Sequence, residues 1–402
     1  MNDITAQLEQ LHEAGLYRRT RLISGPQGPR VLLDGTPVLL LCSNNYLGFA
    51  DHPRVREAAA DAAMRWGVGA GASRLVSGTM TIHERLERRL AEFEGSESCV
   101  LFGSGYLANV GVLQALGTAG RTIFSDALNH ASIIDGCRLA RADTFVYGHC
   151  DLDHLEWGLR ERGREDDVIV TDSIFSMDGD VAPLAGIVEL ARRHGARVVV
   201  DEAHATGALG PGGRGAIAEA GLDGEVDVLV GTLSKALGSY GGYVCARREV
   251  VELLLNSARA LIFSTAPSPP ALAGALASLE LLIEQPLRPA KLLATAALLR
   301  SELAAAGIPA PRGRTQIVPL IVGDAEAAMR LSAAALARGV FAQAIRPPTV
   351  PDGSSRLRLT VMASHTASEL SGAVAALDGA AREVGVTFTV EPALAEPVAR
   401  AA

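Results

Sequence analysis

The chain has 402 residues, 48% of them apolar and 20% charged, an ordinary balance for a globular protein of about two or three domains. A net charge of −8 excludes a general nucleic-acid surface, which needs dense Lys and Arg, but permits a local basic pocket. Five scattered cysteines with no Cys-x-x-Cys pair argue against a disulfide framework or a zinc ribbon. No apolar run reaches the ~18 residues of a membrane span. Met1 to Arg21 lacks the apolar core of a signal peptide, so a cytoplasmic protein without membrane contact is expected.

In chain order, Thr81-Ile82-His83-Glu84 has the spacing of a capping box, and Gly95 closes the helix it opens. Ser98 to Phe102 predicts a short strand, broken by Gly103-Ser104-Gly105 before a helix from Tyr106. Thr122 to Phe124 leads through polar residues into a helical stretch, His130 to Leu139. Val168 to Val170, Arg197 to Val200 and Asp227 to Val230 are apolar runs too short for helices, and Leu184 to His194 carries helical spacing. Such repeated βα units predict an α/β fold, a mostly parallel sheet with helices on both faces.

Pro267, Pro269 and Pro270 precede an Ala/Leu-rich helical region, Ala271 to Ala306, which reads as a connecting element. A strand near Gln316 to Val322, a helix over Ala325 to Ala337 and a strand at Arg356 to Thr360 predict a smaller α+β domain. The expected division is an N-terminal arm (1–49), a large domain (50–260) and a small C-terminal domain (261–402) with a loose tail after about residue 386.

Three signals fall where strands end, the place where open α/β sheets bind ligands. Asp201-Glu202-Ala203-His204 follows Val198-Val199-Val200, which would hold an acid rigidly, although a helix cap explains it equally well. Gly231-Thr232-Leu233-Ser234-Lys235-Ala236-Leu237-Gly238 places a lysine among small and apolar residues, where burial disfavours the ammonium and makes the amine a better nucleophile. Gly103-Ser104-Gly105-Tyr106 would offer backbone N–H groups to a phosphate, though a tight turn is the commoner meaning of such glycines. Cradle, strand-end acid and buried lysine together are the parts that pyridoxal phosphate (PLP) requires. Gly67 to Gly71 follows no strand, Gly210 to Gly215 lacks the Lys-Ser/Thr of a P-loop, and His149, Cys150 and His154 lack a fourth ligand, so no metal is expected.

With those residues the chain resembles the α-oxoamine synthases, PLP-dependent acyltransferases, from about Leu16 to Leu377. Ser43-Asn44-Asn45-Tyr46-Leu47-Gly48, Phe175-Ser176-Met177-Asp178-Gly179-Asp180 and Arg356-Leu357-Arg358-Leu359-Thr360 carry the resemblance. Ile345-Arg346-Pro347-Pro348-Thr349-Val350-Pro351 marks the branch that condenses L-alanine with a pimeloyl thioester, carried by coenzyme A or an acyl carrier protein, in biotin biosynthesis. Asn45 stands where that branch often has Asp, as in siblings that use glycine, which keeps those siblings as the alternative; an aminotransferase of the same fold is a further one.

The resemblance implies an aspartate-aminotransferase-like large domain and an active site shared by two subunits of a homodimer. It makes Lys235 the Schiff-base lysine, Asp201 the partner of the pyridine nitrogen, His204 the partner of the phenolic oxygen, and His130 the residue stacked on the ring. Gly105, Tyr106, Ser176 and Thr232 would complete the cofactor shell, with Ser264 and Thr265 reaching a phosphate across the interface. Arg358 and Asn44 would grip the amino-acid carboxylate, and Arg18 and Thr349 the acyl substrate.

Overall fold

Seven five-residue strands form the main sheet of the computed structural model, which describes residues 2–310 and 312–389. Their order is Ser98–Phe102, Gly242–Ala246, Val228–Thr232, Arg197–Asp201, Val168–Asp172, Thr122–Asp126 and Asp143–Tyr147. Gly242–Ala246 runs antiparallel to both neighbours and the other pairings are parallel, as the βα alternation predicts. Every residue of Thr122–Asp126, Val168–Asp172, Val228–Thr232 and Gly242–Ala246 is buried. Such strands have no polar face, which is why they read as apolar runs rather than alternating ones.

The helix Gly105–Leu116 fills the core beside this sheet, with Ala108, Val112 and Leu113 fully buried against Phe102, Val230 and Val244. At about 25 cal/mol per Å² of apolar surface, burial of this kind is the main term holding the sheet and its helices together. The parallel strands carry their C-terminal ends on one edge. The turns after Phe102, Asp126, Asp172, Asp201 and Thr232 therefore converge there.

The helix at residue 81 begins differently from the capping box that the sequence suggests. Thr81 is already helical and Met80 is the cap residue, whose backbone N–H donates to His83 Nδ1 at 3.3 Å. A buried imidazole displaces the carboxylate because His83 is also anchored at Pro267 O through Nε2, at 3.0 Å. The predicted helical region from residue 271 is two helices, Pro269–Glu284 and Arg288–Ala305, separated around Pro286, whose ring cannot continue the first.

The described chain divides into two compact units, Asn44–Leu293 and the remainder, up to Ser43 and from Ala294 onward. These divisions differ in position from the expected 49/50 and 260/261. Helix Pro269–Glu284 packs on helices Pro53–Trp66 and Thr81–Glu94, which keeps it in the larger unit.

In the other unit, Ile23–Ser24, Arg30–Leu33, Thr36–Leu40 and Val340–Phe341 make one sheet, with Val340 pairing in parallel with Leu39. Ile317–Gly323, Ser355–Thr360 and Ala344–Ile345 make an antiparallel second, accompanied by helices Ala325–Ala337 and Ala367–Val384. Of the tail expected after about residue 386, Thr389 donates its N–H to Ile321 O at 3.1 Å; the part beyond residue 389 lies outside the described residues.

Candidate active site

Lys235 sits in a loop closed by its own backbone. Thr232 Oγ1 donates to Gly241 O at 3.0 Å and accepts Ser234 N–H at 3.2 Å, while Gly238 N–H returns to Lys235 O at 2.9 Å. Leu233, Ala236 and Leu237 are buried on either side, so the half-buried lysine is held by its neighbours rather than left to solvent. Its Nζ lies 2.8 Å from Nε2 of buried His204. His204 Nδ1 is 2.7 Å from the hydroxyl of fully buried Tyr46, which donates to Asn44 Oδ1 at 3.0 Å.

Asp201 ends the neighbouring strand and is buried. One carboxylate oxygen accepts Asn109 Nδ2 at 2.6 Å and the other Ala203 N–H at 2.8 Å. Asn109 also donates to Ser132 Oγ at 2.9 Å, and that hydroxyl is 2.7 Å from His130 Nδ1. Asp172, one strand over, accepts the His130 N–H at 2.7 Å. Burial, followed by the charge of Asp201, pushes the Asp172 carboxyl well above the usual carboxylate range. Desolvation lowers the proton affinity of the His130 imidazole; that effect wins over the opposing pull of Asp201, and the charge of Lys235 adds to it.

The helix start Ser104–Tyr106 completes the arrangement. Ser104 Oγ caps Leu107 N–H at 3.1 Å, and Ala108 N–H goes to Ser104 O. The N–H groups of Gly105 and Tyr106 precede these in the first turn, where a helix supplies no carbonyl and an anion can be accepted. A Cβ on Gly242 would lie 2.4 Å from the Ser104 carbonyl carbon and 2.5 Å from Gly105 N, so a bare backbone at 242 is what lets the cradle sit here. An anion-binding helix start, a rigidly held buried carboxylate and a half-buried primary amine fit the phosphate, ring nitrogen and aldehyde of PLP.

The remaining expected residues are spread more widely. Ser176 lies in the turn where Gly179 N–H bonds to Phe175 O, after the strand that ends at Asp172. Thr265 bridges Ser73, next to the π-helical turn Arg74–Gly78. The Tyr106 hydroxyl bonds to Asp135.

Arg18, Thr349 and Arg358 belong to the other unit. Arg358 is buried in strand Ser355–Thr360. Arg18 and Thr349 line one cleft of about 1100 Å³ with Arg19, Arg21 and Arg346. Arg21 is paired with Asp34 at 2.5 Å, while Arg346 bonds to the carbonyls of Gly15 and Tyr17. Burial, then the nearby charge of Arg18, lowers the guanidinium pKa of Arg346, as expected where cations gather.

Sequence reasoning gave no role to Asn109, Asp172 or Tyr46. Asn109 had a readable signal, the lone amide in the apolar run Leu107 to Leu113. Asp172 and Tyr46 had none, since His130 beside Asp172 and His204 beside Tyr46 are remote in sequence. Deeper still, Tyr243 donates to Glu94 Oε1 at 2.5 Å, and Glu202 accepts Ala216 and Ile217 N–H at 2.9 and 2.8 Å. Burial raises both acids, Glu94 to about 8 and Glu202 to about 7.

His149 lies between Asp126 (2.9 Å) and Asp180 (2.8 Å), with the Cys150 thiol near, while His154 accepts Gly148 N–H elsewhere. Burial would lower the His149 pKa, but bonds to the two carboxylates outweigh it and push it up to about 12, which makes the ring a fixed imidazolium.

Fold and site define a PLP enzyme, and the chain belongs to the aminotransferase class I and II family, whose pattern matches residues 36–377. It is 51% identical over 387 residues to 8-amino-7-oxononanoate synthase of Geobacter sulfurreducens, covering 95% of this chain and 99% of that one. The enzyme of the same name from Lysinibacillus sphaericus is 47% identical over 388 residues, 96% of this chain and 100% of that one. Among solved structures, SPT with a PLP internal aldimine is similar with TM-score 0.90 and 31% identity, over 95% of this chain and 98% of that one. Serine palmitoyltransferase of Sphingomonas wittichii gives 0.89 and 31%, over 95% and 97%.

Proposed function

We propose that this chain forms 8-amino-7-oxononanoate by joining L-alanine to a pimeloyl thioester with loss of carbon dioxide and release of the thiol. The observation that carries the chemistry is the Lys235 amine, 2.8 Å from His204, on the sheet edge where Asp201 is held by Asn109. The synthase relatives, similar over nearly the whole chain, supply the choice of substrates.

Bound PLP supplies a cationic ring that accepts electron density from the alanine Cα and, later, from the decarboxylating carbon. Lys235 would anchor the cofactor through Nζ and, once freed, take the proton from alanine Cα and return one at the end. Asp201 would hold the proton on the pyridine nitrogen, an opposite charge in a dry site. His204 would face the phenolic oxygen through Nε2, and the low proton affinity of His130 suits a ring stacked on a cationic one. Gly105 and Tyr106 N–H groups would take the phosphate, with Ser176 and Thr232 beside them. Arg358, whose planar guanidinium suits a carboxylate, would bind alanine through that group. The arginine-lined cleft of Arg18 and Thr349 suits the anionic end of the acyl donor, and an acyl carrier protein is one possible carrier.

A homodimer completes this reading. Leu75, Val76 and Phe263 are 56%, 79% and 71% exposed beside the Ser73–Thr265 bridge, an apolar surface suited to a second copy that would bring Ser264 and Thr265 to its partner's phosphate.

The test mixes PLP-loaded protein with L-alanine and pimeloyl-CoA and follows free thiol and carbon dioxide. Alanine-dependent thiol release with matching carbon dioxide is expected. Pyruvate formation without thiol would instead make the protein an aminotransferase, and thiol release with glycine in preference to alanine would make it a sibling synthase.

A further inference from the structure

Ser132 has no assigned role, yet its hydroxyl stands between the two groups proposed to flank the cofactor ring. Its Oγ is 2.7 Å from His130 Nδ1 and 2.9 Å from Asn109 Nδ2, and the same Asn109 nitrogen is 2.6 Å from Asp201 Oδ2. Ser132 and Asn109 are each 1% exposed, so bulk water does not compete for these contacts.

The direction of each bond follows from atoms that can play only one part. A backbone N–H only donates, and that of Ser132 reaches His130 Nδ1 at 3.2 Å. Nδ1 therefore offers a lone pair, since a proton there would point at another proton. A carboxylate only accepts, so the Asn109 amide turns its NH₂ to Asp201, and the second hydrogen of that NH₂ goes to Ser132 Oγ. The hydroxyl proton of Ser132 is left for Nδ1. Desolvation of the ring, which lowers its proton affinity, agrees with a neutral imidazole. A neutral ring that accepts at Nδ1 carries its proton on Nε2.

We infer that Ser132 is a positioning residue: it holds His130 as the Nε2-protonated tautomer and, through Asn109, ties that ring to the Asp201 carboxylate. One hydrogen-bonded relay then sets both the ring on which the cofactor stacks and the acid that meets its nitrogen. It also fixes what His130 can do. An Nε2–H donates a hydrogen bond and cannot take a proton, so His130 is no base for the alanine Cα, and that task stays with Lys235. Ser132 acts through His130 and Asn109 rather than on the reacting atoms. Sequence alone hides the relay, because Asn109 lies 23 residues from Ser132 and 92 from Asp201.

The functional part rests on the proposed reading of Asp201 and His130 as the cofactor's neighbours, whereas the tautomer can be read without cofactor. In protein carrying ¹⁵N-labelled histidine, with the His130 signals assigned by comparison with His130→Asn, Nδ1 should be unprotonated and Nε2 protonated at neutral pH, both free and PLP-loaded. A protonated Nδ1 in the wild-type protein overturns the inference. Ser132→Ala keeps the backbone donor and removes the hydroxyl at 2.7 Å, so the Nδ1 signal should move towards that of a free lone pair. An unmoved signal also overturns it. PLP affinity, read by fluorescence titration, should weaken roughly 5-fold in Ser132→Ala, the worth of one hydrogen bond. Combined with Asn109→Ala, the loss should be smaller than the product of the two single losses, because both belong to one relay. Unchanged affinity, or losses that multiply, would refute the relay. If Asp201→Asn bound PLP as tightly as the wild-type protein, the cofactor role of Asp201 would fall instead, while the tautomer would still be judged on its own ¹⁵N signals.

Discussion

Replacing Glu94 by glutamine should flatten the loss of stability that the protein suffers between about pH 5 and pH 8. Glu94 is buried in the core under the sheet, one oxygen shared by Tyr243 (2.5 Å) and Thr206 (3.4 Å), the other without a hydrogen-bond partner. Burial, with the charge of Glu202 adding to it, raises its pKa from 4.5 to about 8. The folded state thus keeps a proton that the unfolded chain releases at an ordinary pH. The stabilisation is full below the unfolded value, falls by about 1.4 kcal/mol per pH unit above it, and is gone once pH passes the folded value. Over the whole window the fall is about 5 kcal/mol, of the same order as a domain's entire stability.

Glutamine keeps the shape and cannot ionise. Its amide N–H₂ faces the same partnerless position, which costs about 1–3 kcal/mol at every pH and so moves the curve without tilting it. The slope is therefore the diagnostic quantity. Urea unfolding of the cofactor-loaded protein at pH 5.5, 6.5 and 7.5, wild type beside Glu94→Gln, should give curves that converge or cross as pH rises. Parallel curves would mean that Glu94 ionises in the folded state as it does in water, and the account of this core would be wrong.

Four further outcomes follow from the site. Lys235→Ala should lose the visible band of the linked cofactor together with all turnover, and full activity in that variant would end the proposed function. Asn109→Ala removes the bonds to Asp201 and Ser132 and should weaken PLP affinity on the order of 10-fold, read by fluorescence titration. Gly231→Ala would place a Cβ 2.1 Å from Tyr243 Cζ, so its melting temperature should fall by the equivalent of about 1–3 kcal/mol. Arg18→Ala should raise KM for the pimeloyl thioester and leave KM for L-alanine unchanged, and equal changes in both would detach the arginine-lined cleft from the acyl donor.

The strands Ser98–Phe102 and Arg197–Asp201 were legible because a strand buried on both faces must be a short apolar run, and Lys235 and Asp201 were legible because chemistry-bearing residues stand out where such runs stop. The helix start at residue 81 was not, since the choice between Glu84 and His83 as the capping partner depended on Pro267, remote in sequence. The same holds for the units. The expected division set residues 1–49 apart as an arm, but Val340 pairing with Leu39 joins that segment to the C-terminal part, and no local pattern encodes a partner about 300 residues away.

What the sequence determined by itself, then, was the parallel α/β sheet, the strand-end lysine and acid, and the glycine-marked helix start after Phe102, because each depends on residues within a few positions of one another. Tertiary structure alone decided which side chains those groups meet: Asn109 on Asp201, Tyr46 behind His204, Glu94 under Tyr243. Hydrogen bonds and burial are properties of neighbours in space, and a neighbour one strand over can be anywhere in the chain.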